Sequence, residues 1–295
     1  MKARVKTKHL ISLLLACLAL PVFGGGIRVI DDVKLRSEFQ KKIGELCDKD
    51  GVPDGKKLSD QESKAPRVAK NLHLPKVAPP KNYEEAVQSI ALLGKAGHCG
   101  SKKCKKWHLR GVATAWCVGA EGLFVTNFHC FEGTEGKASA IYLLDGTISP
   151  VVEIVAADRD RDVCLFRVKA KGGKKFNPLP MGEPAPVGTP VRIISHPDNR
   201  FYMQTSGKVA RYYLHPPRNE KKAAVWMNVT ADYAKGSSGG PVLDERGEVV
   251  GMVSFTSTIY YGPRKPGGDK GPMQMVVKSC VPGEALRKLL SLDGK

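Results

Sequence analysis

The chain has 295 residues, 42% of them apolar and 7% aromatic, and a formal charge of +18. That length can bury a sizeable core, and the balance excludes collagenous, low-complexity and wholly disordered classes. The charge favours anionic surfaces, but the basic residues are scattered apart from KKCKK (102–106) and RNEKK (218–222), with no aromatic-interleaved RNA motif and no recognition-helix pattern.

Lys2, Arg4, Lys6 and Lys8 precede the apolar run LISLLLACLALPVF (10–23), which is short for a bilayer span. Val22 and Gly24 satisfy the small-residue rule for cleavage, so residues 1–24 read as a signal peptide and the chain as secreted or periplasmic. A lipoprotein signal ending at Cys17 fits less well, because Leu15 suits it poorly and the apolar run continues past the cysteine. No later segment is apolar enough to span a membrane, so the mature chain is expected to have no transmembrane span.

Residues 25–82 form an N-terminal extension. In DDVKLRSEFQKKIGELC, Leu35, Phe39, Ile43 and Leu46 fall at helical spacing, with Asp31 or Asp32 as cap. The polar, proline-containing stretch that follows ends in the linker-like LPKVAPPKN (74–82). The arm suits a propeptide, a packing extension or a tether, and nothing in it looks catalytic.

From Tyr83 the texture changes. Short apolar or alternating runs such as VATAWCVG, LFVTNFH, DVCLFRV, TPVRIISH and GEVVGMVSF are separated by Gly, Pro, Asp and Asn. This predicts an all-β, antiparallel domain over 83–295, as a sandwich or barrels, with one short late helix in PGEALRKLLSL. Beyond Cys17 there are seven cysteines, an odd number: Cys47, Cys99, Cys104, Cys117, Cys130, Cys164 and Cys280. HCGSKKCKKWH gathers His98, Cys99, Cys104 and His108. Zinc would use such ligands, but the spacing is not that of a standard finger. In an exported chain a small disulfide loop is the expectation, with no metal and no cofactor.

Three stretches carry chemistry. LFVTNFHC puts His129 just past an apolar strand, DRDRDVCLFRV puts Asp162 directly before one, and KGSSGGPV puts Ser238 in a glycine-lined loop. A serine hydroxyl is a weak nucleophile without a base, an imidazole serves as that base, and a carboxylate fixes the imidazole's tautomer. Asp158 and Asp160 compete with Asp162, but only Asp162 immediately precedes the strand. Gly236 leaves the backbone free to aim amides at a developing oxyanion.

TNFHC, the Asp158–Phe166 block, TSGKV (205–209), GSSGGPV and the closing VVKSCVPGEALRKLL, in this order, resemble the trypsin-like serine proteases of the HtrA/Deg-like bacterial branch, over about residues 85 to 292. The resemblance implies two antiparallel β-barrels with a site in the cleft between them. It implies His129 as general base, Asp162 as orienting acid, Ser238 as nucleophile, and the Gly236 and Ser238 amides as the oxyanion hole. Asp232 stands six residues before Ser238, where trypsin's specificity-pocket acid lies, although a loop acid bonded to backbone donors suits it better. Digestive relatives pair a cysteine in the place of Cys130 with an earlier strand, which makes Cys117 a candidate partner, beside Cys99 and Cys104. The chain ends about fifty residues after the Gly-Gly-Pro block, so the PDZ domain usual in this branch is not expected.

The expected activity is an exported serine endopeptidase acting through an acyl-enzyme on proteins or peptides. Two other readings stay open: a catalytically silent protease-fold binding module, and a cationic module for anionic polymers. Weak binding to anionic surfaces is compatible with the charge; a specific nucleic-acid partner is not expected.

Overall fold

A computed structural model describes residues 22–23, 27–49, 52–101, 103–133, 136–216, 223–262 and 271–292. Most of the expected signal peptide, the RNEKK cluster and residues 263–270 lie outside the described residues. The chain divides into Met1–Ile30 and Asp31–Lys295. In the first unit, β1 (Val22–Phe23) pairs antiparallel with β2 (Ile27–Arg28).

The second unit opens with α1 (Asp32–Cys47), as its periodicity predicts. Asp31 is the cap, its carboxylate accepting from Lys34 N at 2.9 Å. Asp32 instead accepts from Phe201 N, 2.8 Å away and far along the chain. Leu35, Phe39, Ile43 and Leu46 are all buried, and the Phe39 ring stacks on Tyr142 with centroids 5.1 Å apart. An added Cβ at Gly94 would lie 2.7 Å from Phe39, so the glycine makes room for that ring. A second helix, α2 (Gly55–Lys64), was not legible in the polar sequence. Asp54 caps it, and it buries Leu58 and Glu62. The short α3 (Tyr83–Ala86) leads into the sheets.

Two closed six-stranded antiparallel barrels follow. The first consists of β3 (Ile90–Gly97), β4 (His108–Gly119), β5 (Leu123–Thr126), β6 (Ala138–Leu143), β7 (Ile148–Asp158) and β8 (Val163–Val168), in the order β3-β4-β5-β8-β7-β6. The second consists of β9 (Pro190–Ser195), β10 (Met203–His215), β11 (Ala224–Val229), β12 (Pro241–Leu243), β13 (Val249–Tyr260) and β14 (Met273–Pro282), in the order β10-β11-β14-β13-β12-β9. Closure pairs the strands around each barrel, while the β13–β14 hairpin runs on beyond the second one, its residues Met273–Val277 paired to β13 alone. The expected all-β double barrel is therefore the observed fold.

The two cores differ. The first is aromatic, with Phe124 against Phe166 and Phe176, Phe131 against Phe166, and Leu58 of α2 in the same cluster. The second is built of branched aliphatics such as Val191, Ile193, Val229, Val242 and Val253, with Met227. The terminal helix α4 (Gly283–Leu289) buries Leu286 and Leu289. Its Leu289 carbonyl accepts from Ala69 N at 2.8 Å, so part of the proline-containing arm is pinned rather than trailing free. Among the described residues, no helix is long and apolar enough to cross a membrane.

The disulfide expectation is not met. Cys47, Cys99, Cys104, Cys117, Cys130, Cys164 and Cys280 are all free thiols. Cys117 is buried inside the first barrel with its thiol on the Gly119 carbonyl at 3.3 Å, while Cys130 accepts from Thr126 Oγ1 at 3.5 Å. Cys104 turns its sulfur to His108 Nε2, 3.1 Å away.

Candidate active site

Strand pairing assembles the acid and the base. β5 lies antiparallel to β8 with Thr126 opposite Cys164. The residues that follow β5 therefore meet those that precede β8 at one end of the barrel. His129 sits in the single helical turn Phe128–Cys130 after β5. Asp162 precedes β8 with φ of 54°, a left-handed conformation that aspartate tolerates better than most residues. Asn127 Nδ2 donates to the Asp162 carbonyl at 3.0 Å and ties the two loops together.

The Asp162 carboxylate is then saturated by donors. Oδ1 accepts from His129 N at 3.0 Å and lies 3.0 Å from His129 Nδ1; Oδ2 lies 2.9 Å from the same Nδ1. Ser254 Oγ donates to Oδ2 as well. Burial works against a charged imidazole here, but the Asp162 and Cys130 side chains, by hydrogen bonding and charge, outweigh it and raise the pKa of His129. Nδ1 is committed to the carboxylate, which leaves Nε2 as the working nitrogen. Neither competing aspartate does this: Asp158 binds Arg161 at 2.6 Å and Asp160 binds Arg67 at 3.0 Å.

The second barrel contributes the loop before β12. Gly236 has φ of 99°, and a Cβ there would lie 2.4 Å from the His196 carbonyl, so only glycine fits. Lys235 O accepts from Asp198 N at 2.6 Å. In a planar trans peptide this turns the Gly236 N–H to the opposite side. The Ser237 amide turns back onto Ala234 O at 3.0 Å. The first barrel grips the loop through Thr114, whose amide donates to Ser238 O at 2.8 Å and whose hydroxyl donates to Gly236 O at 3.0 Å. Gly239, with φ of 84°, seats against Thr114 O and Thr126 Oγ1, where a Cβ would lie 2.1 and 2.3 Å away.

His129, Gly236 and Ser238 line one cavity of about 630 Å³ between the barrels. Ser238 Oγ contacts the Ser254 carbonyl at 3.4 Å rather than the imidazole. The structure thus brings His129, Asp162, Ser238 and Gly236 to one site. It does not bring Asp232 there: its carboxylate is 85% exposed and paired with Lys278 Nζ at 2.6 Å. The fully buried imidazole of His196 is pushed down to about 3 by burial and accepts from Tyr202 N at 3.0 Å, so it stays neutral and structural.

Sequence reasoning missed Ser254, Thr114 and Thr126. Ser254 carried a faint signal, as a lone hydroxyl in the apolar run VVGMVSF. The two threonines carried none, because hydroxyls of that kind are ordinary in strands.

Residues 113–252 match the family model of the trypsin-like peptidase domain, a span that runs from the Thr114 clamp through all three candidate catalytic residues to β13. The double barrel agrees with that match, which supports a trypsin-like peptidase fold. The chain is 27% identical over 158 residues to "Protease Do-like 1, chloroplastic" of Arabidopsis thaliana, covering 52% of this chain and 34% of that protein. It is 29% identical over 145 residues to "Probable periplasmic serine endoprotease DegP-like" of Halomonas elongata, covering 49% of this chain and 29% of that protein. It is also 27% identical over 136 residues to "Anti-sigma-I factor RsgI9" of Acetivibrio thermocellus, covering 45% and 18%. The chain matches well under two thirds of the length of each of these relatives.

Proposed function

We propose that the protein is an exported serine endopeptidase that cleaves peptide bonds through an acyl-enzyme. The supporting observation is the His129–Asp162 pair facing the same cavity as Ser238 and Gly236. In this reading His129 Nε2 takes the Ser238 proton as Oγ attacks the scissile carbonyl, and later returns it to the leaving amine. Asp162 keeps Nδ1 protonated and stabilises the imidazolium. The Gly236 and Ser238 amides bind the developing oxyanion, and each such donor accounts for about 3 kcal/mol of transition-state stabilisation. The substrates are unfolded proteins or peptides able to enter an open cleft.

Hydrolysis of a denatured protein substrate, followed by the appearance of new N-termini, tests this reading. Ser238→Ala should lower the rate at least about 10³-fold while the fold persists. Equal hydrolysis by the variant would defeat the assignment. A second reading, a catalytically silent binding module, is favoured by the Ser238 contact with the Ser254 carbonyl. It predicts the same fold with no turnover by the unmodified chain.

Export rests on the basic and apolar pattern of residues 1–24. N-terminal sequencing of the native protein should start near Gly25. A start beyond residue 82 would instead make 25–82 a removed propeptide, and an intact Met1 would reject the signal peptide.

A further inference from the structure

The loop between β3 and β4 carries a group of side chains that the peptidase chemistry does not use. Cys99, Cys104 and His108 each offer one ligand atom, and the three atoms lie within 4.8 Å of one another. Cys104 Sγ is 3.1 Å from His108 Nε2. Ligands held tetrahedrally at 2.0–2.3 Å from a zinc ion are roughly 3.3–3.8 Å apart, so small side-chain rotations bring these three onto one ion. We propose that Cys99, Cys104 and His108 bind a thiophilic divalent cation of the zinc class.

The spacing is suited to this. Four residues separate the two cysteines and three separate Cys104 from His108, so one short loop supplies the whole set. Two thiolates and an imidazole select borderline-soft ions over magnesium or calcium. Both thiols lose their protons to solvent on binding, and the thiolate charges cancel that of the ion.

The loop is held in place rather than merely close. Its ends are paired in the sheet, with Gly97 opposite His108 and Ala96 opposite Leu109. Gly100 turns the chain with φ of 82°, and Cys104 N closes a turn on Ser101 O at 3.0 Å. Trp107 packs on α1 at Gly44, and its indole donates to Asp48 Oδ1 at 3.2 Å. The His98 ring stacks on Trp107 with centroids 3.9 Å apart, and its carbonyl accepts from Arg110 Nη1 at 3.2 Å. Cys104 also lines a cavity of about 1030 Å³ beside α1. Three protein ligands leave the ion a fourth position for water.

The test uses the full chain, purified with its thiols reduced and stripped of metal. Cobalt(II) titration should give thiolate-to-cobalt charge-transfer absorption and the visible bands of a tetrahedral centre, saturating at one ion per chain. Zinc should displace the cobalt and protect Cys99 and Cys104 from alkylation. Cys104→Ser and His108→Ala should each lose at least about 100-fold in zinc affinity, with circular dichroism reporting whether each variant is folded. The proposal is overturned if the unmodified chain shows no charge-transfer band. It is also overturned if folded variants keep the wild-type affinity, or if the native protein carries a Cys99–Cys104 disulfide that persists without binding metal. The titration of the unmodified chain decides the matter even if a variant does not fold.

Discussion

At the scale of the residue, Asp162 is the hub. It takes two donors from His129 and one from Ser254, and its backbone carbonyl takes a fourth from Asn127. A hydrogen bond to a charged group contributes roughly 1.5–3 kcal/mol. Removing the Ser254 donor should therefore loosen the carboxylate without abolishing the chemistry. Ser254→Ala is expected to lower kcat about 10-fold with KM unchanged, whereas Asp162→Asn lowers it about 10⁴-fold, because the imidazole then loses its tautomer. Steady-state kinetics on a peptide substrate separates the two. Equal losses, or a Ser254 effect confined to KM, would contradict a positioning role. The residue types and their order made the three candidate catalytic residues legible in sequence. Ser254 left only a faint mark, because its role depends on β13 of one barrel reaching Asp162 of the other.

At the scale of the element, α2 buries an acid against the first barrel. Glu62 is 3% exposed, and burial raises its carboxyl to about 8, with the charge of Glu132 adding to the effect. The folded state keeps a proton that the unfolded chain releases above the ordinary value of 4.5. Its contribution to stability is thus fully present below that value and is lost as pH rises through about 8. Urea unfolding from about pH 5 to pH 8.5 should show stability falling, and Glu62→Gln should remove roughly 1–3 kcal/mol of that fall. Parallel profiles for the two proteins would show that the carboxyl is ionised when folded. The sequence hid α2 because only Leu58 marks its buried face, in the polar stretch GKKLSDQESK. It revealed α1 because four apolar residues recur on one face.

At the scale of the whole second unit, two closed barrels meet through the loop before β12, held by Thr114 of the first barrel and by Lys235 O on Asp198 N within the second. α1 spans both barrels, through Phe39 on Tyr142 and Asp32 on Phe201 N. Alternating apolar runs foretold the barrels, since period-two burial is a local property. The packing of the arm is set by contacts far apart in sequence, such as Ala69 with Leu289, and composition alone left the arm open as a propeptide, a packing extension or a tether. The cysteines misled for a related reason: export suggested pairing, but the fold points Cys117 into one barrel core and Cys104 at an imidazole. The central claim is that this frame holds a competent nucleophile at Ser238. Labelling the folded protein with a fluorophosphonate probe tests it most directly. A single adduct mapped to Ser238, absent from Ser238→Ala and slowed in His129→Ala, is the predicted result; no adduct, or one that persists in Ser238→Ala, would contradict it.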